Sequence, residues 1–416
     1  MTSPVRVHVI NTGTELLLGS VLNTHLTFIA RELFPVGLRV ERQITVPDGA
    51  AIQETLAAAF EEADIIFVTG GLGPTTDDIT REAAAELLDL ELREDAAVAE
   101  AITNRLKTRG FPMSDRILRQ AQVPEGARVL PNANGTAPGL YLAGGSDGRK
   151  PLPHLFLLPG PPSELQPMFR ESVLPILKTL GPKTRPLDFR TFRLACVGES
   201  VVEAAVGAQL LALGTVELGY CARAGEVDVR IIGPAGELDE AEGILRDAFP
   251  KQIFTSTDAS LEQVVVRLLA EKKETLAVAE SCTGGFLAHR LTNVPGASAN
   301  FLAGYVTYSN EAKASALGVD PALVAEHGAV NRAVVRAMAE GARKHSGAVH
   351  ALATTGVAGP GGGSAEKPAG TVYIALASAD RETEVLRRRF QTDRETFKRL
   401  ATQTALETLR LRLVAS

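Results

Sequence analysis

Short apolar runs alternate with amphipathic stretches over roughly the first 170 residues of the chain. The runs at 6–10, 38–46, 64–71 and 154–160 are typical of buried strands, and the last two end in glycine-containing loops. Amphipathic stretches between such runs predict helices, so the repeated order of strand, loop and helix predicts a mostly parallel sheet covered on both faces. Ligands of such sheets bind at the carboxyl ends of the strands.

A second pattern begins after a probable linker, TRPLDF, at Thr184–Phe189. It predicts a strand, a helix over Glu199–Leu213, two strands and a helix over Leu238–Phe249. A third pattern starts with a helix over Leu261–Lys273, continues through alternating strands and helices, and ends in a long helix beginning near Asp393. Residues 143–153 predict an exposed hairpin or loop tip.

The predicted fold class is therefore α/β, with two three-layer α/β/α domains joined by a small α+β domain. We expect the boundaries at 1–175, 184–257 and 258–416.

Composition narrows the class of protein. The chain has 416 residues, of which 22% are charged, and its net charge is -6. The negative net charge argues against a general nucleic-acid coating role. Three separated cysteines form no CxxC pair, which favours a reducing cytoplasm. No signal peptide and no run of about 18 apolar residues is recognised, so no membrane association is expected.

The segment AESCTGG, from Ala279 to Gly285, places two possible nucleophiles side by side where a strand meets a predicted helix over Gly284–Thr292. Free N–H groups at a helix start can hold an anion or a developing oxyanion. A thiol there would be partly ionised, but it is also a common small core residue. The pattern alone leaves Ser281 and Cys282 equally possible.

A nucleophile also needs a base. The nearest histidine, His289, lies about two turns into the helix, and the others have no obvious acidic orienter. In YSNEAK, Asn310 is predicted to cap a helix whose first turn carries Lys313, with Tyr308 placed to relay a proton or hold the amine. Lys313 would need its pKa of ~10.4 lowered by ~3, at a cost of ~4–5 kcal/mol. The alternative is an ordinary solvated lysine.

Two further segments predict anion contacts near this edge. TTGVAGPGGG, at Thr354–Gly363, can wrap a phosphate with backbone N–H groups but lacks the Lys-Ser/Thr of a P-loop. Arg394 opens the last helix, where the dipole disfavours a cation, so it either meets an anion or is simply solvated.

The first domain carries acidic and glycine-rich loops after its strands, in NTGTELLLG, TGGLGPTTDD and LPGPPSEL. Adjacent carboxylates beside such loops suggest a divalent cation, Mg²⁺ or similar, bridging to a phosphorylated ligand. Asp78 is the candidate metal ligand, and its alternative role is to cap the following helix. The candidate ligand-binding residues are Thr12, Glu15, Gly70, Gly71, Gly73, Asp77, Asp78, Gly160 and Glu164.

These motifs resemble known families. AESCTGG, VTYSNEAK, EHGAV, TTGVAGPGGG, EKPAGTVY and TDR, over about 255–416, resemble the nicotinamide-nucleotide amidases. TGGLGPTTDDITREA, LPGPPSELQPM and NGTAPG, over about 5–170, resemble the molybdopterin-binding MoaB/MogA-like fold. Together, joined by a small middle domain, they are similar to full-length CinA proteins, named for competence and damage inducibility.

For the last domain, the resemblance implies hydrolysis of nicotinamide mononucleotide (NMN) to nicotinate mononucleotide and ammonia, without a cofactor. Ser281 would be the nucleophile and Lys313 the base, with Tyr308 beside them. Backbone groups of Thr283 and Gly284 would form the oxyanion hole. The substrate's ribose and phosphate would contact a group comprising Asn310, Thr355, Gly356, Gly359 and Arg394.

For the first domain, the resemblance implies metal-dependent cleavage of ADP-ribose to AMP and ribose 5-phosphate, or a non-catalytic module that binds a pterin or nucleotide. The middle domain resembles a KH module, but its turn Val197–Ser200 lacks a basic GxxG loop, so we expect a spacer or dimer contact. We expect small-molecule substrates, a homodimer and no nucleic acid. A non-catalytic competence partner would need a basic or exposed apolar stripe, and none is recognised.

Overall fold

The computed structural model describes residues 5–110, 112, 114–146, 151–180 and 188–415. The chain divides into two compact units, Met1–Pro186 and Leu187–Ser416. Most of the predicted linker lies outside the described residues, and the split of the second unit near residue 257 stays a prediction. Within the described ranges, no helix has both the length and the apolar character needed to cross a bilayer.

The first unit alternates strands and helices as predicted. Its strands are β1 (Val7–Thr12), β2 (Val40–Val46), β3 (Ile65–Thr69), β4 (Leu92–Glu94), β5 (Gln122–Pro124), β6 (Arg128–Leu130), β7 (Gly139–Leu142), β8 (Gly145–Ser146), β9 (Pro151–Leu152) and β10 (His154–Leu158). Its helices are α1 (Thr14–Leu17), α2 (His25–Leu33), α3 (Ala51–Glu62), α4 (Thr80–Leu87), α5 (Ala96–Arg109), α6 (Asp115–Leu118), α7 (Pro162–Met168) and α8 (Leu174–Leu180). Short 3-10 turns follow α2 and α6, and a π-helical turn joins α7 to α8.

The main sheet of this unit has the order β2-β1-β3-β10-β7-β6. Its first four strands are parallel to one another, whereas β7 pairs antiparallel with β10 and β6 pairs antiparallel with β7. Because side chains alternate along a strand, Ile65 and Phe67 pack under α2, α7 and α8, whereas Ile66 and Val68 pack under α3 and α4. The three-layer prediction is confirmed, and the predicted hairpin at 143–153 contains the β8–β9 pair.

The second unit holds two further sheets. Its strands are β11 (Asp188–Ala195), β12 (Glu217–Arg223), β13 (Glu226–Gly233), β14 (Ile253–Thr255), β15 (Leu276–Glu280), β16 (Phe301–Val306), β17 (His350–Gly356), β18 (Thr371–Ser378) and β19 (Arg381–Arg389). Its helices are α9 (Glu199–Val202), α10 (Ala208–Leu211), α11 (Ala235–Ala248), α12 (Leu261–Lys272), α13 (Phe286–Thr292), α14 (Asn310–Leu317), α15 (Pro321–His327), α16 (Arg332–Ser346) and α17 (Arg394–Val414). A π-helical turn joins α9 to α10.

The smaller sheet, β12-β13-β11-β14, is antiparallel and buries one face against α9, α10 and α11. This agrees with the predicted α+β character, while a KH module stays a prediction.

The larger sheet has the order β16-β15-β17-β18-β19. Strand β15 pairs parallel with β16 and β17, whereas β18 pairs antiparallel with β17 and β19 pairs antiparallel with β18. Leu276 and Val278 pack under α12, α13 and α17, and Ala277 and Ala279 pack under α14, α15 and α16. The carboxyl ends of β15, β16 and β17 therefore meet at one edge of a three-layer domain.

One expectation about the surface is wrong. The stretch that begins with α1 exposes four large apolar side chains, namely Leu17, Leu18, Val21 and Leu22, which are 51–83% exposed. The apolar residues of ELLLGSVL are nearly continuous and lack the period of an amphipathic helix. The sequence therefore does not indicate which of these side chains face the solvent. An apolar stripe thus exists beside Glu15.

Candidate active sites

The carboxyl edge of the larger sheet brings AESCTGG and YSNEAK together. Ser281 follows β15 directly, and its backbone N–H donates to the Thr354 carbonyl on β17 at 3.0 Å. On the other side, the Thr307 N–H after β16 donates to the Glu280 carbonyl at 2.8 Å. Two loops that lie far apart in the sequence are thus held side by side by continued strand pairing.

Lys313 is buried beside Ser281. The side chain is only 1% exposed, and its Nζ lies 3.3 Å from Ser281 Oγ. Nζ also lies 2.9 Å, 3.2 Å and 3.3 Å from the backbone carbonyls of Thr307, Tyr308 and Ser309. Burial lowers the pKa of Lys313, against smaller opposing effects of Cys282 and Glu311. The alternative of a solvated lysine is therefore wrong.

The helix that carries Lys313 begins one residue earlier than predicted. Ser309 is the N-cap, with extended backbone, and its hydroxyl accepts the Ala312 N–H at 3.1 Å. Asn310 is the exposed first residue of the helix, so its predicted capping role is wrong. Serine and asparagine cap helices about equally well, and the tertiary position of the loop selects Ser309.

Cys282 is not arranged as a nucleophile. It is buried in the core that α12, α13 and α17 form, and this burial raises the pKa of its thiol to about 12. A thiol with that pKa is almost wholly neutral at pH 7. The expectation of a partly ionised thiol at the helix start is therefore wrong.

The helix start itself is occupied by Glu280, a residue that the sequence pattern did not single out. Its carboxylate is fully buried and accepts the backbone N–H groups of Gly285, Leu287 and Ala288 at 3.1, 3.0 and 2.8 Å. These are the N–H groups that a helix leaves without partners at its first turn. The prediction that this helix start binds a substrate anion is wrong, because the protein supplies its own anion. A lone carboxylate ending the apolar run LAVAE was the available signal.

The two backbone N–H groups predicted to form the oxyanion hole, those of Thr283 and Gly284, differ in whether they already have a hydrogen-bond partner. The Gly284 N–H donates to the Ser281 carbonyl at 3.1 Å, so it is engaged. The Thr283 hydroxyl is buried against the Thr354 hydroxyl at 2.7 Å, and among the described residues the Thr283 N–H has no hydrogen-bond partner. Thr283 is therefore the available donor of this pair.

Tyr308 and Arg394 meet at the rim of the site. The Arg394 guanidinium donates to the Tyr308 hydroxyl at 3.0 Å and to the Gly359 carbonyl at 3.2 Å. Lys313 contacts only the backbone carbonyl of Tyr308, and the phenol is 64% exposed. The predicted relay through the phenol is not seen; the phenol positions Arg394 instead.

Two of the residues expected to bind substrate have structural roles in the fold. Thr355 is fully buried and donates its hydroxyl to the Ala329 carbonyl at 2.9 Å. A Cβ on Gly356 would lie 2.6 Å from the Thr371 carbonyl, so glycine is needed for the β17–β18 approach. Direct ligand contact by the Thr355 side chain is therefore contradicted.

Histidine is not the base in this arrangement. His350 does have an acidic partner, Glu274 at 2.8 Å, contrary to expectation. However, His350 begins β17, whereas Ser281 follows the end of β15, and the two strands are parallel. His289 contacts Asn293 at 3.1 Å rather than Ser281.

The first unit contains a cavity of about 390 Å³ at the carboxyl ends of β1, β3 and β10. It is lined by all nine residues predicted for this site, which are Thr12, Glu15, Gly70, Gly71, Gly73, Asp77, Asp78, Gly160 and Glu164. Asp48, Gln120 and Thr136 also line it and were missed, because they lie on loops or on the 3-10 turn after α6, whose place depends on the tertiary fold.

This cavity is acidic. Its lining includes five carboxylates, those of Glu15, Asp48, Asp77, Asp78 and Glu164, and no lysine, arginine or histidine. Carboxylate oxygens are the donors that Mg²⁺ prefers. Among the described residues, no group of three His, Cys, Asp or Glu side chains is already arranged around one point for a metal ion.

Asp78 does not cap the next helix. Its carboxylate accepts the Thr75 N–H at 2.9 Å and the Thr75 hydroxyl at 2.5 Å. Helix α4 begins at Thr80 with no side-chain cap. The capping alternative is therefore wrong, and the carboxylate faces the cavity beside Gly73, on which a Cβ would lie 2.5 Å from it.

Two family models match separate parts of the chain. Residues 258–413 match the family model of the CinA C-terminal domain, and residues 8–179 match that of the Probable molybdopterin binding domain. A CinA-like protein of Akkermansia muciniphila is 46% identical over 403 residues, which cover 97% of this chain and 96% of that protein. The chain belongs to the CinA family.

Two more relatives are similar. A competence-damage inducible protein of Moorella thermoacetica is 43% identical over 410 residues and covers 97% of both chains. The crystal structure of a CinA superfamily protein from Klebsiella pneumoniae is 38% identical, with 38% of this chain and 97% of that chain covered and a TM-score of 0.36.

The thiols test the geometry around Ser281 without any substrate. Cys282 is buried with a pKa of about 12, whereas Cys221 is exposed. We expect iodoacetamide at pH 8 to modify Cys221 in the folded protein and to leave Cys282 unmodified until the chain is denatured, as measured by peptide mass spectrometry. Comparable labelling rates for the two thiols in the folded protein would contradict this burial.

Proposed function

We propose that the C-terminal domain hydrolyses the carboxamide of NMN to nicotinate mononucleotide and ammonia. The observation that carries this proposal is the buried amine of Lys313, 3.3 Å from Ser281 Oγ. A serine needs a neighbouring base to attack an amide, and a desolvated lysine can serve as one.

The amine must be neutral to accept a proton. Burial lowers the pKa of Lys313, whereas contact with carbonyl oxygens favours the charged form. A neutral amine has two N–H donors and one lone pair. Two of the three neighbouring carbonyls can accept those donors while the lone pair faces the Ser281 hydroxyl.

The steps then follow from the contacts. Ser281 Oγ attacks the carboxamide carbon while Lys313 takes its proton, and we expect the free Thr283 N–H to stabilise the resulting oxyanion. The protonated Lys313 returns that proton to the leaving nitrogen, so ammonia departs and an ester remains on Ser281. Lys313 then takes a proton from water as the water attacks the ester, and it returns that proton to Ser281 as nicotinate mononucleotide leaves.

The identity of the nucleophile can be tested by single substitutions. We expect Ser281→Ala to reduce ammonia release from NMN at least ~10³-fold, because the covalent path is lost. Cys282→Ala should keep the rate within about threefold, because its neutral thiol takes no part. Ammonia release by the wild type and both variants would be measured side by side. A dead Cys282→Ala with an active Ser281→Ala would exclude the Ser–Lys mechanism.

The pH dependence reports on the base. Since only neutral Lys313 can accept the proton, kcat/KM should rise with pH through its lowered pKa and then level off. Lys313→Ala should lose at least ~10²-fold in rate at the plateau and lose this rising limb. Rate profiles of the wild type and variant between pH 5 and about pH 10 would show it. An unchanged rising limb in Lys313→Ala would assign the proton transfer to another group.

We further propose that the first unit cleaves ADP-ribose to AMP and ribose 5-phosphate with a divalent cation. The specific support is the cavity charge: five carboxylates and no basic residue repel a pyrophosphate unless cations accompany it. A bound Mg²⁺ takes one or two carboxylates plus ligand phosphates, so Asp78 with a neighbouring carboxylate fits. The metal would supply charge neutralisation at the phosphates. The alternative is a non-catalytic pterin- or nucleotide-binding module.

Chelation distinguishes the two units. We expect EDTA to abolish AMP formation from ADP-ribose and to leave ammonia release from NMN unchanged, because only the first unit uses a metal. Added Mg²⁺ should restore the wild type but restore Asp78→Asn poorly. Loss of deamidation under chelation would contradict the metal-free amidase. Absence of any AMP formation with metal present would favour the binding module.

A further inference from the structure

We propose that Lys398 is a second phosphate-binding cation of the amidase site, acting with Arg394 to select a mononucleotide over its riboside. This inference rests on the proposed deamidation of NMN. It adds a residue that neither the sequence pattern nor the family resemblance pointed to.

The two cations lie on one face of α17. Arg394 is the first residue of this helix and Lys398 follows four residues later, so their side chains are neighbours one turn apart. Arg394 is held against the Tyr308 hydroxyl and the Gly359 carbonyl. The face of α17 that carries Lys398 is therefore the face that borders the site.

Lys398 lies against the loop that carries the nucleophile. A Cβ on Gly284 would lie 4.0 Å from Lys398 Nζ, and the Gly284 N–H donates to the Ser281 carbonyl at 3.1 Å. Nζ also lies 5.7 Å from the centre of the Phe286 ring, which fixes the direction of the side chain. Lys398 thus borders the Ser281 loop, one helical turn from Arg394.

Lys398 has unused hydrogen-bonding capacity. Within the part of the chain that the structure describes, its ammonium has no hydrogen-bond or ion-pair partner. Its neighbour Arg399 differs, because it pairs with Glu395 at 2.8 Å. An ammonium offers three donors, and a half-buried one beside a second cation suits a dianionic phosphate.

The nearby carboxylates do not neutralise this pair. Asp393 is the N-cap of α17 and accepts the N–H groups of Glu395 and Thr396 at 2.9 and 3.0 Å. Glu395 is engaged by Arg399. The N-terminal end of this 21-residue helix adds positive potential. The helix therefore presents a net positive surface at the rim of the site, opposite in sign to the cavity of the first unit.

The test compares Lys398→Met with Arg399→Met. Both variants remove one cation that contacts the Phe286 ring, but only the first removes the unpartnered one. We expect Lys398→Met to raise KM for NMN about tenfold or more, to leave kcat within about twofold, and to leave kcat/KM for nicotinamide riboside unchanged. Lys398→Arg should restore the KM for NMN to within about threefold. Arg399→Met frees Glu395 but keeps both proposed phosphate-binding cations, so it should raise KM for NMN less than about threefold and leave the riboside unchanged.

A binding measurement separates this inference from the proposed activity. Ribose 5-phosphate would be titrated calorimetrically, with EDTA present, into Ser281→Ala chains carrying Lys398→Met, Arg399→Met or neither substitution. If only Lys398→Met weakens this binding, the result supports the phosphate contact. If in addition the wild type releases no ammonia from NMN, that second result overturns the proposed function but not the phosphate contact. Equal binding by the two double variants, or an equal loss of kcat/KM for NMN and riboside in Lys398→Met, would overturn the role of Lys398.

Discussion

The burial of the Lys313 amine is the constraint on which the site around Ser281 depends. Removing an ammonium from water is costly, so the group either loses its proton or finds strong partners. Here three backbone carbonyls and the Ser281 hydroxyl surround it. Those carbonyls belong to the loop after β16, and Ser281 belongs to the loop after β15. The side chain therefore links two strand ends, and the same burial lowers the pKa of its amine beside Ser281.

Glu280 stabilises the same loop from its buried side. Its carboxylate satisfies three N–H groups at the start of α13, which otherwise attract anions. The start of α13 behind Ser281 therefore has no free N–H groups to attract a further anion. In the proposed mechanism, the cations of α17 take the phosphate and the Thr283 N–H stays available beside Ser281.

The candidate sites of the two units differ in the sign of their charge. The cavity of the first unit has five carboxylates and no basic residue, so an anionic ligand enters only with cations. The site around Ser281 instead has two cations of α17, Arg394 and Lys398, beside it. One chain of net charge -6 therefore carries two sites of opposite sign, and a shared ligand would have to satisfy very different electrostatic conditions.

The sequence by itself determined the layer architecture, because side-chain periodicity of strands and helices is local. It also indicated which loops lie together, since glycine-rich and polar loops follow apolar strands whose carboxyl ends meet at one edge. It could not decide between Ser281 and Cys282, since adjacent residues point to opposite sides of a chain and only packing shows which side is the core. Nor could it assign the cap to Ser309 or the helix start to Glu280, because these depend on which backbone groups the fold leaves unpaired. The state of Lys313 was likewise decided by tertiary structure, since desolvation requires neighbours distant in sequence.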